Sequence, residues 1–193
     1  MRHGFVLALA LACATSAGAQ QPDAGWPCEA EPKQSLALSD SWPEGARAKV
    51  GDWAADAAVV GLATQVARRS LDQAEAVARV RAFAARQPSL ADRARLATAI
   101  VDAIDTERRA IIAGVRRFNT RQAQIAKRVE AGYTALDAPK LTPERKAALE
   151  DQAEWDQRIF EDRQRMLPIV CRQPAALETR LSALIGALKD PAK

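Results

Sequence analysis

Three pairs of carboxylates recur one helical turn apart: Asp52 with Asp56, Asp102 with Asp105, and Glu150 with Glu154. Two acids held at different protonation states in one cleft are the equipment of a glycosidase. The same spacing also suits the solvated face of a helix, which forms no cleft. Asp102 and Asp105 flank Val101 and Ile104 and are expected to point outward. The other catalytic vocabulary is thin. The one histidine is His3, within an apolar leader. Without it there is no Ser-His-Asp or Cys-His arrangement, no His-Glu-x-x-His zinc site and no Glu-x-x-His di-iron pair. No glycine-rich phosphate loop occurs. Past the leader Met166 stands alone, so methionine-based copper carriage is not supported. The expectation is no enzyme, no cofactor and no metal.

Cysteine is the next reactive type. The leader MRHGFVLALALACATSAGA has a basic start, an apolar run and small residues at Ala17 and Ala19. It reads as a signal peptide, residues 1–19, cleaved before Gln20. Its apolar run is shorter than the roughly 20 residues that span a bilayer. A lipid anchor at Cys13 is a minor alternative, because the box before it lacks a large aliphatic residue. No later segment is apolar enough to span, so the mature chain is expected to have no transmembrane segment and to be periplasmic or secreted. Cleavage would remove His3 and Cys13 and leave Cys28 and Cys171. An even pair in an oxidising compartment reads as one disulfide. It would close a loop of about 144 residues and stabilise by up to roughly 5 kcal/mol on the chain-entropy estimate. Residues 20–41 form an extended, proline-rich tail. Climbing from Trp42 at the base of the bundle, this tail is just long enough to reach Cys171. Trp26 is expected to cover the disulfide, with stacking on a ligand as the alternative.

The elements that position these groups are helices. The chain has 193 residues and is rich in alanine and arginine, with no strand-like alternation. Ser41-Trp42-Pro43-Glu44 reads as a capping box, with Trp42 stapling the helix start. Small or apolar residues then recur from Ala46 through Trp53, Ala57, Val60, Thr64, Ala67, Leu71 and Ala74 to Ala78, in alternating steps of four and three. Ser70 is a possible break, and Pro88 closes this arm. A second seam runs from Leu90 through Ala97, Ile104, Arg108, Val115, Gln122 and Ile125 to Leu136, free of proline. Thr142-Pro143-Glu144 starts a third arm with Leu149, Ala153, Trp155, Ile159, Phe160, Met166 and Leu167. Pro168 should kink or end it. Pro174 opens a last piece carrying Leu177, Leu181, Leu184 and Leu188.

The fold expected is all-α: an elongated antiparallel bundle of three long, partly kinked arms with coiled-coil-like seams, one domain over residues 42–189. A shorter four- or five-helix bundle results if the arms double back at Ser70 and Pro168. Arg108 and Gln122 interrupt the second seam at the same heptad position. Gln122 should be buried and hydrogen-bonded, and Arg108 should reach an acid or the solvent edge.

Residues 108–129 hold seven basic side chains and no acid. Alone this suggests a phosphate- or lipid-binding face. An acidic run at 150–162 offers a counterpart. With a turn near Pro139, Arg117 would face Glu161, and Lys127 and Arg128 would face Asp151 and Glu150. Arg108 and Arg109 would stay unmatched, opposite Ile169 and Val170. Nucleic-acid binding is therefore not expected.

Leu141-Thr142-Pro143-Glu144-Arg145 resembles the Leu-Thr-x-x-Gln motif of the Spy and CpxP periplasmic proteins, with Arg145 in place of the glutamine. The resemblance covers five residues, and Thr-Pro-Glu is also a general helix start. It implies an envelope chaperone or stress-sensing role. The function the sequence favours is an exported, non-enzymatic helical scaffold or adaptor that binds another protein. Candidate contact or polar-layer residues are Arg108, Arg109, Gln122 and Trp26, and a homo-oligomer is allowed. A Spy/CpxP-like chaperone and a carboxylate-only enzyme are the alternatives.

Overall fold

The computed structural model describes residues 25–38, 42–44 and 50–191. The leader, Ser41 and Ala46 lie outside these residues. Among the described residues the protein is all-helical, with four α-helices packed against one another. Each begins where a short polar side chain can take an orphan backbone N–H. Asp56 accepts from Ala58 and Val59 and opens α1, Ala57–Ala67. Asp72 accepts from Ala74 and Glu75 and opens α2, Gln73–Ala84. Ser89 caps α3, Leu90–Leu136, through the Asp92 N–H. Thr142 caps α4, Pro143–Lys189, through the Arg145 N–H, with Pro143 in the first turn.

The first arm is not one helix. Gly51 has a φ of 62°, a conformation that strains any residue with a Cβ. Asp52 then caps a single 3-10 turn, Trp53–Ala55, before α1 starts. The arm breaks again after Ala67, where the chain turns back into α2. Asp72, not Ser70, caps the second helix. The single seam expected through this arm is therefore replaced. Val59, Ala63, Val66 and Ala67 are buried on α1, and Ala76, Val80 and Ala84 on α2, while Ala57, Thr64, Ala74 and Ala78 are exposed.

α3 and α4 are each 47 residues long, so each spans ~70 Å at 1.5 Å per residue. They form an antiparallel hairpin. α1 packs on α3 and α2 packs on α4, both at the open end of that hairpin. There they bury Leu96, Ile100 and Ile104 of α3 and Leu177, Leu184 and Leu188 of α4. Each such side chain stabilises by ~1.5–3 kcal/mol relative to exposure. The result is a four-helix head from which the rest of α3 and α4 extends as a two-helix stalk.

Arg180 ties the head together. It is buried, and it donates to the Val66 carbonyl at 2.8 Å and the Leu71 carbonyl at 3.0 Å. Those oxygens end α1 and sit in the turn to α2, where helical partners run out. Burial lowers the pKa of this guanidinium, and the fields of Asp72 and Glu107 oppose that shift.

Two further expectations are corrected. Of the kink or end expected at Pro168, the end does not occur, and Pro174 opens no new helix: α4 runs through both. Pro168 is exposed, and so is Gln164, the residue whose carbonyl it leaves without an intrahelical donor, so water can serve that oxygen. Trp42, expected to staple a helix start, is 4% exposed within the head core, and residues 45–49, which that staple would involve, lie outside the described residues. Trp155 is not core but 58% exposed.

Candidate protein-binding surface

The inside of the stalk is set by two facing seams. On α3 the expected seam holds: Val115, Gln122 and Ile125 are buried, and Phe118 and Val129 partly so. On α4 the packed line is Ala153, Asp156, Phe160, Arg163, Leu167, Val170 and Pro174, again in steps of three and four. Two of its members are charged, which hides the line in the sequence.

These charged members form polar layers with α3. Gln122 donates to the Phe160 carbonyl at 2.9 Å and accepts from Arg163 at 3.0 Å. The Arg163 guanidinium also lies 4.3 Å over the Phe118 ring, a cation–π contact. Asp156 is buried and takes Arg128 at 2.8 Å. The hydrogen bond from Arg128 holds the Asp156 carboxyl below its ordinary pKa, against the opposing effect of burial. At the next level outward Gly132 admits Ala153 closely: a Cβ on Gly132 would lie 3.2 Å from the Ala153 Cβ.

This pairing corrects the expected register. Arg128 meets Asp156, six positions from Glu150. Arg117 does not meet Glu161. The apolar seams and their polar layers set the register, and surface charge does not override them. The connection 137–142, with Lys140 at φ 66°, then carries the chain so that α4 starts beyond the end of α3.

Arg108 sits where stalk meets head. It is 0% exposed. It donates to Glu178 at 2.8 Å, to the Lys33 carbonyl at 2.5 Å and to Asp105 at 3.5 Å. Asp105 is buried too, which corrects its expected outward aim, and it also accepts the Leu36 N–H at 3.0 Å. Arg109 is not unmatched; it pairs with Asp105 at 3.2 Å while staying mostly exposed. Arg108 and Gln122 are thus internal ties rather than contact residues.

The tail lies along the hairpin. Cys28 and Cys171 form the expected disulfide, with Cα atoms 5.6 Å apart. Gly25 accepts from Asn119, Lys33 reaches Glu178, and Leu38 enters the head core. The tail therefore descends from the head along the stalk, rather than climbing from its tip, because the doubled-back first arm places Trp42 in the head. Trp26 is partly buried, and its indole N–H donates to the Ala30 carbonyl at 2.8 Å around Cys28. Its polar edge is spent within its own turn.

The carboxylate pairs divide among structural tasks. Asp52 and Asp56 are helix caps. Glu150 pairs with Lys146. Among the described residues no group of three or more His, Cys, Asp or Glu is placed to hold a metal ion. No described helix is long and apolar enough to cross a membrane.

What remains on the outside is a second line on α4. Trp155, Ile159, Asp162, Met166 and Ile169 again step by four and three. Trp155, Met166 and Ile169 are 58%, 47% and 45% exposed. Scattered exposed apolar residues need no explanation, but a heptad line of them has the spacing of a helix-packing surface. Beside it a cleft of about 210 Å³ is lined by Ile111, Gly114, Phe118, Val170 and Gln173. The sequence carries this signal. Merged into one seam, the two parallel lines on α4 put Trp155 and Met166 inside, and only the packing separates them.

Comparison with protein-family models, curated proteins and solved structures finds no match. The likeness at Leu141–Arg145 thus stands on five residues, and there Thr142 serves as the cap of α4.

Proposed function

We propose that this protein is an exported, non-enzymatic helical scaffold or adaptor, periplasmic or secreted, that binds another protein along the outer face of its stalk. The observation that carries this reading is the exposed heptad line Trp155–Ile169 on a helix whose inner seam is already satisfied. The disulfide supports an oxidising compartment. The head and tail supply rigidity: they fix one end of the hairpin and leave the rest of its length accessible. The cleft beside the line is walled by apolar, glycine and glutamine residues and holds no acid, which favours binding over carboxylate chemistry. A general holdase would call for a broad apolar surface, whereas this one is a single line interrupted by Asp162.

Photo-crosslinking in the producing organism tests the reading. A photoreactive side chain placed at 166 or 169 should give discrete adducts of higher mass, and one placed at 150 or 157 should not. Equal labelling at all four positions, or none at any, would argue against a docking face.

A further inference from the structure

We propose that the outer face of the stalk receives an amphipathic α-helix of a partner protein, and that this helix carries acidic side chains at seven-residue spacing along one flank. The inference rests on the protein-binding reading above and adds the chemistry of the partner.

The spacing asks for a helix. Trp155, Ile159, Met166 and Ile169 occupy alternating heptad positions, as knobs do that seat between the side chains of a facing helix. The same face of the hairpin already packs helices in the head. Arg69, in the turn between α1 and α2, donates to Glu107 of α3 at 2.7 Å and to Gln173 of α4 at 3.4 Å. Gln173 also lines the cleft with Phe118 and Val170. The groove therefore opens where the head's own helices stop, and an incoming helix would continue their packing.

The charge asks for acids. Arg158, Arg165 and Arg172 follow one another at seven-residue intervals along the edge of the apolar line that faces away from α3, and all three are exposed. Arg158 lies 5.8 Å from the Trp155 ring centroid. Arg165 pairs with Asp162. Arg172 has no ion-pair partner among the described residues. Across the groove, the Arg117 guanidinium lies beside Gly114, 3.8 Å from where a Cβ would be. Arg121 shares the heptad position of Gly114. With the register as observed, neither Arg117 nor Arg121 is neutralised by the described residues of α4. An apolar line between two basic rims matches an apolar line between acidic ones.

The other occupants fit less well. In an antiparallel self-pairing along this line, the arginine row would face its own copy, a like-charge arrangement. A membrane-surface helix needs a wide apolar face, whereas this line is one residue wide with Asp162 at its middle.

The test uses the full, disulfide-intact chain and two labelled helical peptides of about three heptads. Both have leucine at the core positions; one carries glutamate on its flanks, the other lysine. Fluorescence anisotropy should show the acidic peptide binding at least about 10-fold more tightly at low salt, with the preference shrinking as salt rises. Arg158→Gln/Arg165→Gln/Arg172→Gln should remove most of that preference. Met166→Ser/Ile169→Ser should abolish binding of both peptides without changing helicity. Equal affinity for the two peptides, or binding of neither, overturns the proposal. So does capture by vesicles rich in anionic lipid with no peptide binding, or a dimer in sedimentation that the serine variants dissolve. Adducts at 166 and 169 without an acidic preference would leave the docking face standing and refute the partner chemistry. No adducts and no peptide binding would remove both.

Discussion

Replacing Arg108 with alanine should be among the most damaging single changes in the stalk. The side chain is fully buried and joins three elements: Glu178 of α4, Asp105 of its own helix and the Lys33 carbonyl of the tail. Its removal takes a hydrogen-bonding cation from buried Asp105, which keeps Arg109 and the Leu36 N–H, and from Glu178, which keeps Lys33, and it leaves the Lys33 carbonyl without this donor. Breaking a buried pair by deleting one partner costs about 3–5 kcal/mol. For a domain of this size each kcal/mol lowers Tm by about 2–4 °C, so the expected drop is ~6–20 °C. A thermal melt followed by circular dichroism at 222 nm measures that drop, and urea unfolding measures the free-energy loss, with the midpoint falling and the slope unchanged. A second variant separates unpaired charge from lost packing. Arg108→Leu/Glu178→Leu/Asp105→Asn removes the charges together and keeps an acceptor for the Leu36 N–H. It should recover most of the loss, because well-packed apolar replacements of buried ion clusters are often neutral. A loss below about 1 kcal/mol for Arg108→Ala, or a triple variant as unstable as the single one, would refute the reasoning that this cluster is a buried, closed network.

Cys28→Ser/Cys171→Ser should lower stability by up to about 5 kcal/mol, the chain-entropy figure for a bridge across 143 positions, and should make the tail the first site of limited proteolysis. Asp156 has a folded-state pKa below its ordinary value because Arg128 hydrogen-bonds it. Its contribution is therefore present above the ordinary aspartate pKa and lost as pH falls through and below it; Asp156→Asn should flatten that acid limb in pH-dependent melts. Gly61 lies within α1 with open space where a Cβ would be added, so Gly61→Ala should stabilise by about 0.5–1 kcal/mol. Gly132→Ala should gain nothing or lose, since its Cβ would meet Ala153 at 3.2 Å, and the pair of chemical melts reads the contrast directly.

Much of the fold is legible because apolar periodicity is a strong signal in long helices. The boundaries of α3 and α4 follow from Ser89, Pro139 and Thr142-Pro143, and α3 has a seam without competitors. α1 and α2 are harder. Alanine fills both faces of these helices, so a line through Ala57, Thr64, Ala74 and Ala78 looks as apolar as the true one. The break itself is marked by Gly51, Asp56 and Asp72, whose conformation or capping acts locally and leaves no periodic trace. The pairing register is not legible from charge, because exposed ion pairs add only about 0–1 kcal/mol and yield to buried layers such as Gln122 with Arg163. Pro168 misleads because an interior proline costs a helix a hydrogen bond and a steric clash without always ending it, and α4 runs through Pro168 and Pro174 alike. The proposed docking face is present in the sequence as a second heptad line beside the first, and only the packing of α4 against α3 separates the two.

Along the stalk, stability and the proposed binding fall on two different lines of α4, and one paired measurement tests that separation. In Met166→Asp/Ile169→Asp, both substitutions fall on exposed side chains. Stability should stay within about ±0.5 kcal/mol of the parent, as for most surface changes. Crosslinking from a photoreactive group at 155, measured on the same preparation, should fall to background. A variant that unfolds would mean that these side chains are structural. A variant that stays folded and crosslinks as strongly as the parent would contradict the assignment of the stalk's outer face as the place where a partner binds.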